Sequence, residues 1–164
     1  MKIVIAPDSF KESLTAKQVC TAIETGFKRV FPNATYCSVP VADGGEGTVQ
    51  SLVDATQGKI LELSVTGPLG LPVQAFYGLL GDNSQTAAIE MAAASGLHHV
   101  QAELRDPKKT SSYGTGELIK AALDQGVKKI IIGLGGSATN YGGIGMLSAL
   151  AIIFTDQNNK EIKT

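Results

Sequence analysis

The chain has 164 residues, 43% of them apolar and 18% charged, enough to bury a core and too apolar for a disordered segment. Its formal net charge of −1, without a basic cluster, argues against nucleic acid and anionic membrane as partners, and no apolar run approaches the length of a membrane span. Cys20 and Cys37 share no metal-ligand spacing and the N-terminus lacks the pattern of a signal peptide, so a cytoplasmic protein is expected.

Residues 2–6 read as a short apolar strand ended by Pro7 and a polar run from Asp8 to Ser13. Thr15 and Gln18 have the form of a capping box, and Ala16, Val19, Cys20, Ile23, Phe27 and Val30 then fall on one helical face that Pro32 ends. Residues 35–41 predict a second strand. The run Asp43-Gly44-Gly45-Glu46-Gly47-Thr48 leads into another helix, with Gly58 placed as its left-handed cap. This strand–loop–helix alternation is that of a parallel α/β sheet. Residues 60–66 and 73–80, joined by Gly67-Pro68-Leu69-Gly70, predict an antiparallel pair, followed by a strand at 86–91. This β-rich block is either an inserted subdomain or an extension of the sheet. After Pro107 the α/β rhythm returns: a helix at 116–125 stopped by Gly126, a strand at 129–132, a glycine-rich loop at 133–143, a short helix near 144–150 and a strand at 151–154. The expected division is 1–58 as a parallel α/β portion, 59–105 as the β-rich portion and 106–164 as the returning α/β portion, which looks cut short.

Three loops follow expected strands, and in an open parallel sheet ligands bind at the carboxyl ends of the strands. The first holds Asp8, Ser9 and Lys11, a carboxylate, a hydroxyl and a cation suited to phosphate chemistry, or a plain polar turn. In the second, Gly44 and Gly45 permit an anion nest, whereas Asp43 and Glu46 suit Mg²⁺ or a substrate hydroxyl. In the third, Gly133-Leu134-Gly135-Gly136-Ser137-Ala138, with Asp156 beyond it, has the outline of a dinucleotide fingerprint, but it comes late and Gly142-Gly143 interrupts the helix it should open. No Walker-type phosphate loop occurs. His98 and His99 are adjacent, cannot share one side of a regular element, and read as surface loop residues.

Six motifs in one order resemble the bacterial glycerate kinases: the segments 6–14, 39–48, 65–70, 89–97, 114–119 and 131–140, which include Pro7-Asp8-Ser9-Phe10-Lys11 and Gly135-Gly136-Ser137-Ala138-Thr139-Asn140. The resemblance implies a Rossmann-like, mostly parallel α/β sheet with an antiparallel β-rich portion, here as an incomplete two-domain kinase. It implies transfer of the γ-phosphoryl group of ATP to glycerate with Mg²⁺, giving 2-phosphoglycerate, in a cleft between two domains. Asp8, Lys11 and Asp43 are then the expected catalytic residues. Ser9, Gly44, Gly45, Glu46, Gly135, Gly136, Ser137 and Asn140 are expected to bind substrate or nucleotide, without a metal centre built of protein alone. Glycerate and the C-terminal portion of such a kinase are the expected partners. A dinucleotide-dependent enzyme built on residues 133–138, and a catalytically dead fragment or binding module, are the alternatives. In one place the chain departs from the family pattern: where relatives continue Asp-Gly-Gly-Ala-Gly, it reads Tyr141-Gly142-Gly143-Ile144-Gly145. A neutral phenol is a poor ligand for a hard cation, so Tyr141 is expected to damage the site.

Overall fold

The computed structural model describes residues 1–10 and 13–162. Its elements are β1 (Lys2–Ile5), α1 (Ala16–Val30), β2 (Thr35–Ser38), α2 (Thr48–Thr56), β3 (Lys59–Thr66), β4 (Pro72–Leu79), β5 (Thr86–Glu90), α3 (Met91–Ser95), α4 (Tyr113–Asp124), β6 (Lys129–Gly133) and α5 (Ile144–Ala149). The mixed α/β class is as expected, with helices flanking both parallel and antiparallel strands.

The strands form two sheets rather than one. β1 and β2 pair in parallel by themselves, whereas β6 joins the β-rich block in a sheet of order β3-β4-β5-β6. The β3–β4 and β4–β5 pairs are antiparallel and β5–β6 is parallel. The β-rich block is thus a sheet of its own, extended by the later strand.

β5 explains this arrangement. Its sequence, Thr-Ala-Ala-Ile-Glu, is buried at every position, as a strand covered on both faces must be. Ala87 and Ile89 face a core shared with Leu118, Ile119 and Ala122 of α4, while Ala88 faces Val49 and Val53 of α2. Gly78 of β4 lets α2 lie close, since a Cβ there would collide with the Val53 side chain.

Several boundaries differ from expectation. The Thr15 capping box forms in full, and α1 ends before Pro32. The cap of α2 is Gln57, at φ 56°, not Gly58; Gly58 is needed instead because a Cβ would strike the carbonyl of Leu79. α4 begins at Tyr113, so Gly114 and Gly116 lie inside it, where a Cβ would strike the Thr66 and Met146 carbonyls. Close packing of α4 on its neighbours accounts for that pair. Residues 151–154 form no strand; Thr155 and Glu161 make only an isolated bridge around a turn.

The first sheet is thinly covered. Val19 and Cys20 of α1 bury against Ile5, but Val4, Phe27 and Val30 of the same unit remain 59%, 43% and 69% exposed. Leu118, in contrast, is fully buried beneath the second sheet. Leu118→Ala should lower stability by about 2–5 kcal/mol, read as a fall in the urea midpoint without a change in slope.

Candidate functional site

The three glycine-bearing or polar loops converge. The Gly44 carbonyl accepts a hydrogen bond from the Gly135 N–H at 3.0 Å, joining the second loop to the third. Gly133 and Gly135 permit this approach, because a Cβ on either would collide with the backbone of Gly44 or Gly45. The first loop faces the second across a cavity of about 380 Å³ whose lining includes Asp8, Ser9, Thr15, Glu46, Gln50 and Asp54. Lys11, expected in the first loop, lies outside the described residues.

Within the second loop most backbone donors are already engaged. Gly44 N–H donates to the Thr48 hydroxyl at 3.1 Å, and Gly45 N–H to Asp43 Oδ1 at 3.0 Å. Asp43 therefore holds a tight turn, and it does not line the cavity that Asp8 and Glu46 share. Gly44 and Gly47 take φ of 93° and 89°, which explains the glycines, but the resulting loop is not an open anion nest.

The anion at this helix end comes from the protein. α2 has no side-chain cap at Gly47. Instead Glu90, at the end of β5 and 2% exposed, accepts the Val49 N–H at 2.6 Å. A carboxylate at a helix N-terminus satisfies orphan donors and complements the macrodipole. Burial pushes the Glu90 carboxyl above its ordinary range, and the Glu46 charge adds to this; the N–H groups of Val49, Gly47 and Thr48 oppose it. Sequence reasoning missed Glu90. The available signal was an acid ending a strand otherwise made of small and apolar residues.

The third loop is tied to the segment after α3. Leu97 N–H donates to the Gly136 carbonyl and Ala138 N–H to the Ser95 carbonyl, both at 2.9 Å. Gly136 takes φ 74°, Ser137 shares a 2.9 Å hydrogen bond with the Thr139 hydroxyl, and Asn140 is exposed. The helix after this loop starts only at Ile144 and Asp156 sits in a distant turn accepting from Asn158 and Lys160, so the dinucleotide outline does not become a strand–turn–helix unit. His98 is exposed and His99 half-buried; their rings lie 4.0 Å apart, and one ring nitrogen of His99 pairs with the Ala93 carbonyl. Desolvation, then His99, lowers the His98 pKa, while the charge of Glu46 opposes them, which puts His98 nearer the second loop than its sequence suggested.

Tyr141 is half-buried, and its hydroxyl accepts the Ser112 N–H at 2.9 Å and donates to Ser111 Oγ at 3.2 Å. It caps the start of α4. Position 141 is therefore engaged in packing α4, neither facing solvent nor capping the short helix that follows it.

A model of the glycerate kinase family matches residues 3–164. The chain is 68% identical over 162 residues to a glycerate kinase of Haemophilus influenzae, covering 99% of this chain and 43% of that protein. It is 61% identical over 162 residues to a glycerate 2-kinase of Escherichia coli, at 99% and 42% coverage. A crystal structure described as glycerate kinase 2 from Salmonella typhimurium superposes with a TM-score of 0.83 at 60% identity, across 99% of this chain and 43% of that one. Loops crowded at strand ends on a mixed α/β frame place the chain among α/β proteins of the kind that receive ligands at such ends. Within that class, the chain belongs to the glycerate kinase family. It spans less than half the length of these relatives.

Two outcomes test this geometry. The raised pKa of Glu90 means its stability contribution is complete below the ordinary carboxylate range, about 4.3, and declines as pH rises through the folded value. Glu90→Gln keeps an acceptor and does not titrate, so its stability relative to wild type should improve from pH 4 to pH 7; urea unfolding at both values measures this, and the opposite trend refutes it. Tyr141→Phe strands the Ser112 N–H and should cost about 1–3 kcal/mol, whereas Tyr141→Asp, which restores an acceptor, should cost less.

Proposed function

We propose that this chain supplies the N-terminal part of a cytoplasmic glycerate kinase that moves the γ-phosphoryl group of ATP to the 2-hydroxyl of glycerate. The observation that carries this reading is the gathering of the family's motif loops at one place, with Gly44 bonded to Gly135 and Asp8 facing Glu46 across one cavity. In the reaction the hydroxyl oxygen forms a bond to the γ-phosphorus as the bond to the β,γ-bridging oxygen breaks. ADP leaves with that electron pair, and the hydroxyl proton passes to a carboxylate. Asp8 is the residue we assign to orient that hydroxyl and receive the proton, with Ser9 beside it. Lys11 supplies positive charge, and Asp43 fixes the turn that presents Glu46. Little covalent chemistry is asked of the protein; positioning and charge carry the acceleration.

Among the described residues no cluster of three or more His, Cys, Asp or Glu could hold a metal. Mg²⁺ needs no such cage, since it is normally held by one or two carboxylates with substrate phosphates and water. Glu46, on the cavity it shares with Asp8, fits that sparse donor set and would hold it with substrate phosphates and water. The ion would neutralise charge on the transferring phosphates. Free Cys20 and Cys37 suit a reducing compartment.

The partner we assign is the portion that relatives carry beyond the matched stretch. It would complete the cleft, and the exposed apolar residues Val4, Phe27 and Val30 suit it as a packing surface. The alternative, a dead fragment, is separated by experiment. ATP-dependent phosphorylation of glycerate should be negligible for this chain alone. It should appear when the chain is joined to the remaining part of the Haemophilus relative, at about 1–100 s⁻¹. Turnover at such rates by the chain alone refutes the fragment reading; a folded but inactive joined protein refutes the kinase reading.

A further inference from the structure

A second cavity, of about 240 Å³, lies behind the third loop, walled by Leu97, Arg105, Thr110, Ser137, Thr139 and Asn140 among others. Its walls are pinned. The Thr110 hydroxyl donates to the Ala138 carbonyl at 2.6 Å in a buried bond. Leu97 N–H and Ala138 N–H fix the loop to the segment after α3.

Arg105 is pinned as well: its Nε–H donates to the Val100 carbonyl at 3.2 Å. That bond orients the guanidinium plane and leaves its terminal N–H groups without an acceptor among the described residues. The Asn140 amide is also uncommitted among them. The other charged group of the lining, Asp106, is engaged elsewhere: Oδ1 accepts the Lys108 N–H at 3.1 Å, and Oδ2 lies 3.6 Å from Lys109 Nζ. A planar donor fork, oriented by one bond on an exposed side chain, therefore shares with an amide a space below the range of drug-sized pockets, whose hydroxyls are already hydrogen-bonded.

We propose that this cavity binds the carboxylate of a small hydroxy acid, with Arg105 as its anchor and Asn140 as an orienting group. The donor inventory supports an anion, and the volume supports a molecule of a few carbons rather than a nucleotide. The first cavity offers the opposite chemistry. Among the described residues of its lining are Asp8, Glu46 and Asp54, and the described cation there, Lys17, is already 3.4 Å from Asp54. Identifying the acid as glycerate rests on the kinase reading; the anion site does not.

The test is titration of the ¹⁵N-labelled chain with glycerate, glycerol and inorganic phosphate, observing the Arg105 Nε–H and the backbone amides. Glycerate should saturably shift Arg105 and the amides of Gly136 to Asn140, while glycerol, which lacks the carboxylate, should not. Arg105→Met should weaken glycerate binding on the order of tenfold or more. Arg105→Lys, which keeps the charge without the fork, should recover only part, and each variant's amide spectrum away from the cavity reports whether it folds. Absence of saturable shifts, shifts confined to the Asp8 cavity, tighter binding of phosphate than of glycerate, or an undiminished affinity in folded Arg105→Met overturns the proposal. The same titration separates the two readings: binding at Arg105 without turnover in the joined protein removes the kinase, and turnover insensitive to Arg105→Met removes this site.

Discussion

A single carboxylate, that of Glu90, joins the strand ends and the helix start at the candidate site. β5 ends in Glu90, and its buried register places Glu90 beside Gly133 of β6. From there the side chain reaches the first turn of α2 at Val49. The strand ends, the α2 N-terminus and the loop before it are thereby fixed as one body. The remaining contact, Gly44 to Gly135, is backbone to backbone and is possible only because neither Gly133 nor Gly135 has a side chain. Removing the acid would release several donors at once, since a helix start leaves its first N–H groups without intrahelical partners.

That solution has a consequence for ligand placement. Helix N-termini behind glycine-rich loops commonly receive phosphate. Here the corresponding position of α2 already holds a carboxylate, and Glu46 and Asp43 stand nearby in sequence. A second anion at the same point would meet like charge in a desolvated setting. The glycines serve the approach of two loops rather than the cradling of a phosphate by this one. Among the described residues, side-chain donors without a partner stand instead at Arg105 and Asn140, behind the third loop.

Much of the frame was legible because its signals are local. The capping box of α1, the Gly126 stop of α4 and the β3–β4 hairpin around Gly67 each depend on a few adjacent residues. Sheet membership was not legible, because β6 presents the same apolar run whether it pairs with β1 or β5; only the burial of β5 on both faces decides. The start of α4 also slipped, from the expected residue 116 to Tyr113, because Gly114 and Gly116 serve close packing within the helix. At the site, the convergence of the three loops followed from their positions after strands. The roles of Asp43, Glu90 and Tyr141 did not, since each is set by a partner that folding brings near: a backbone turn, a helix start, and the Ser112 N–H.

The two sheets also differ in how completely they are covered, and this bears on what the whole protein requires. The β3-β4-β5-β6 sheet has α2 on one face and α4 on the other, with small residues at β5 setting the spacing. The β1–β2 pair has α1 against part of one face, and Phe27 and Val30 continue the α1 apolar stripe beyond the strands that could cover it. This unit therefore keeps exposed apolar surface at Val4, Phe27 and Val30 that a further contact would bury. Asp8 and Ser9 extend from β1 and so sit on the less supported unit, whereas Glu46, Ser137 and Arg105 belong to the firmer one. Under the proposed kinase reading, alignment of an attacking hydroxyl with a γ-phosphorus would require close placement across these two units. On that reading, covering the open face of β1–β2 would stabilise that unit and also set the distance between Asp8 and the second and third loops.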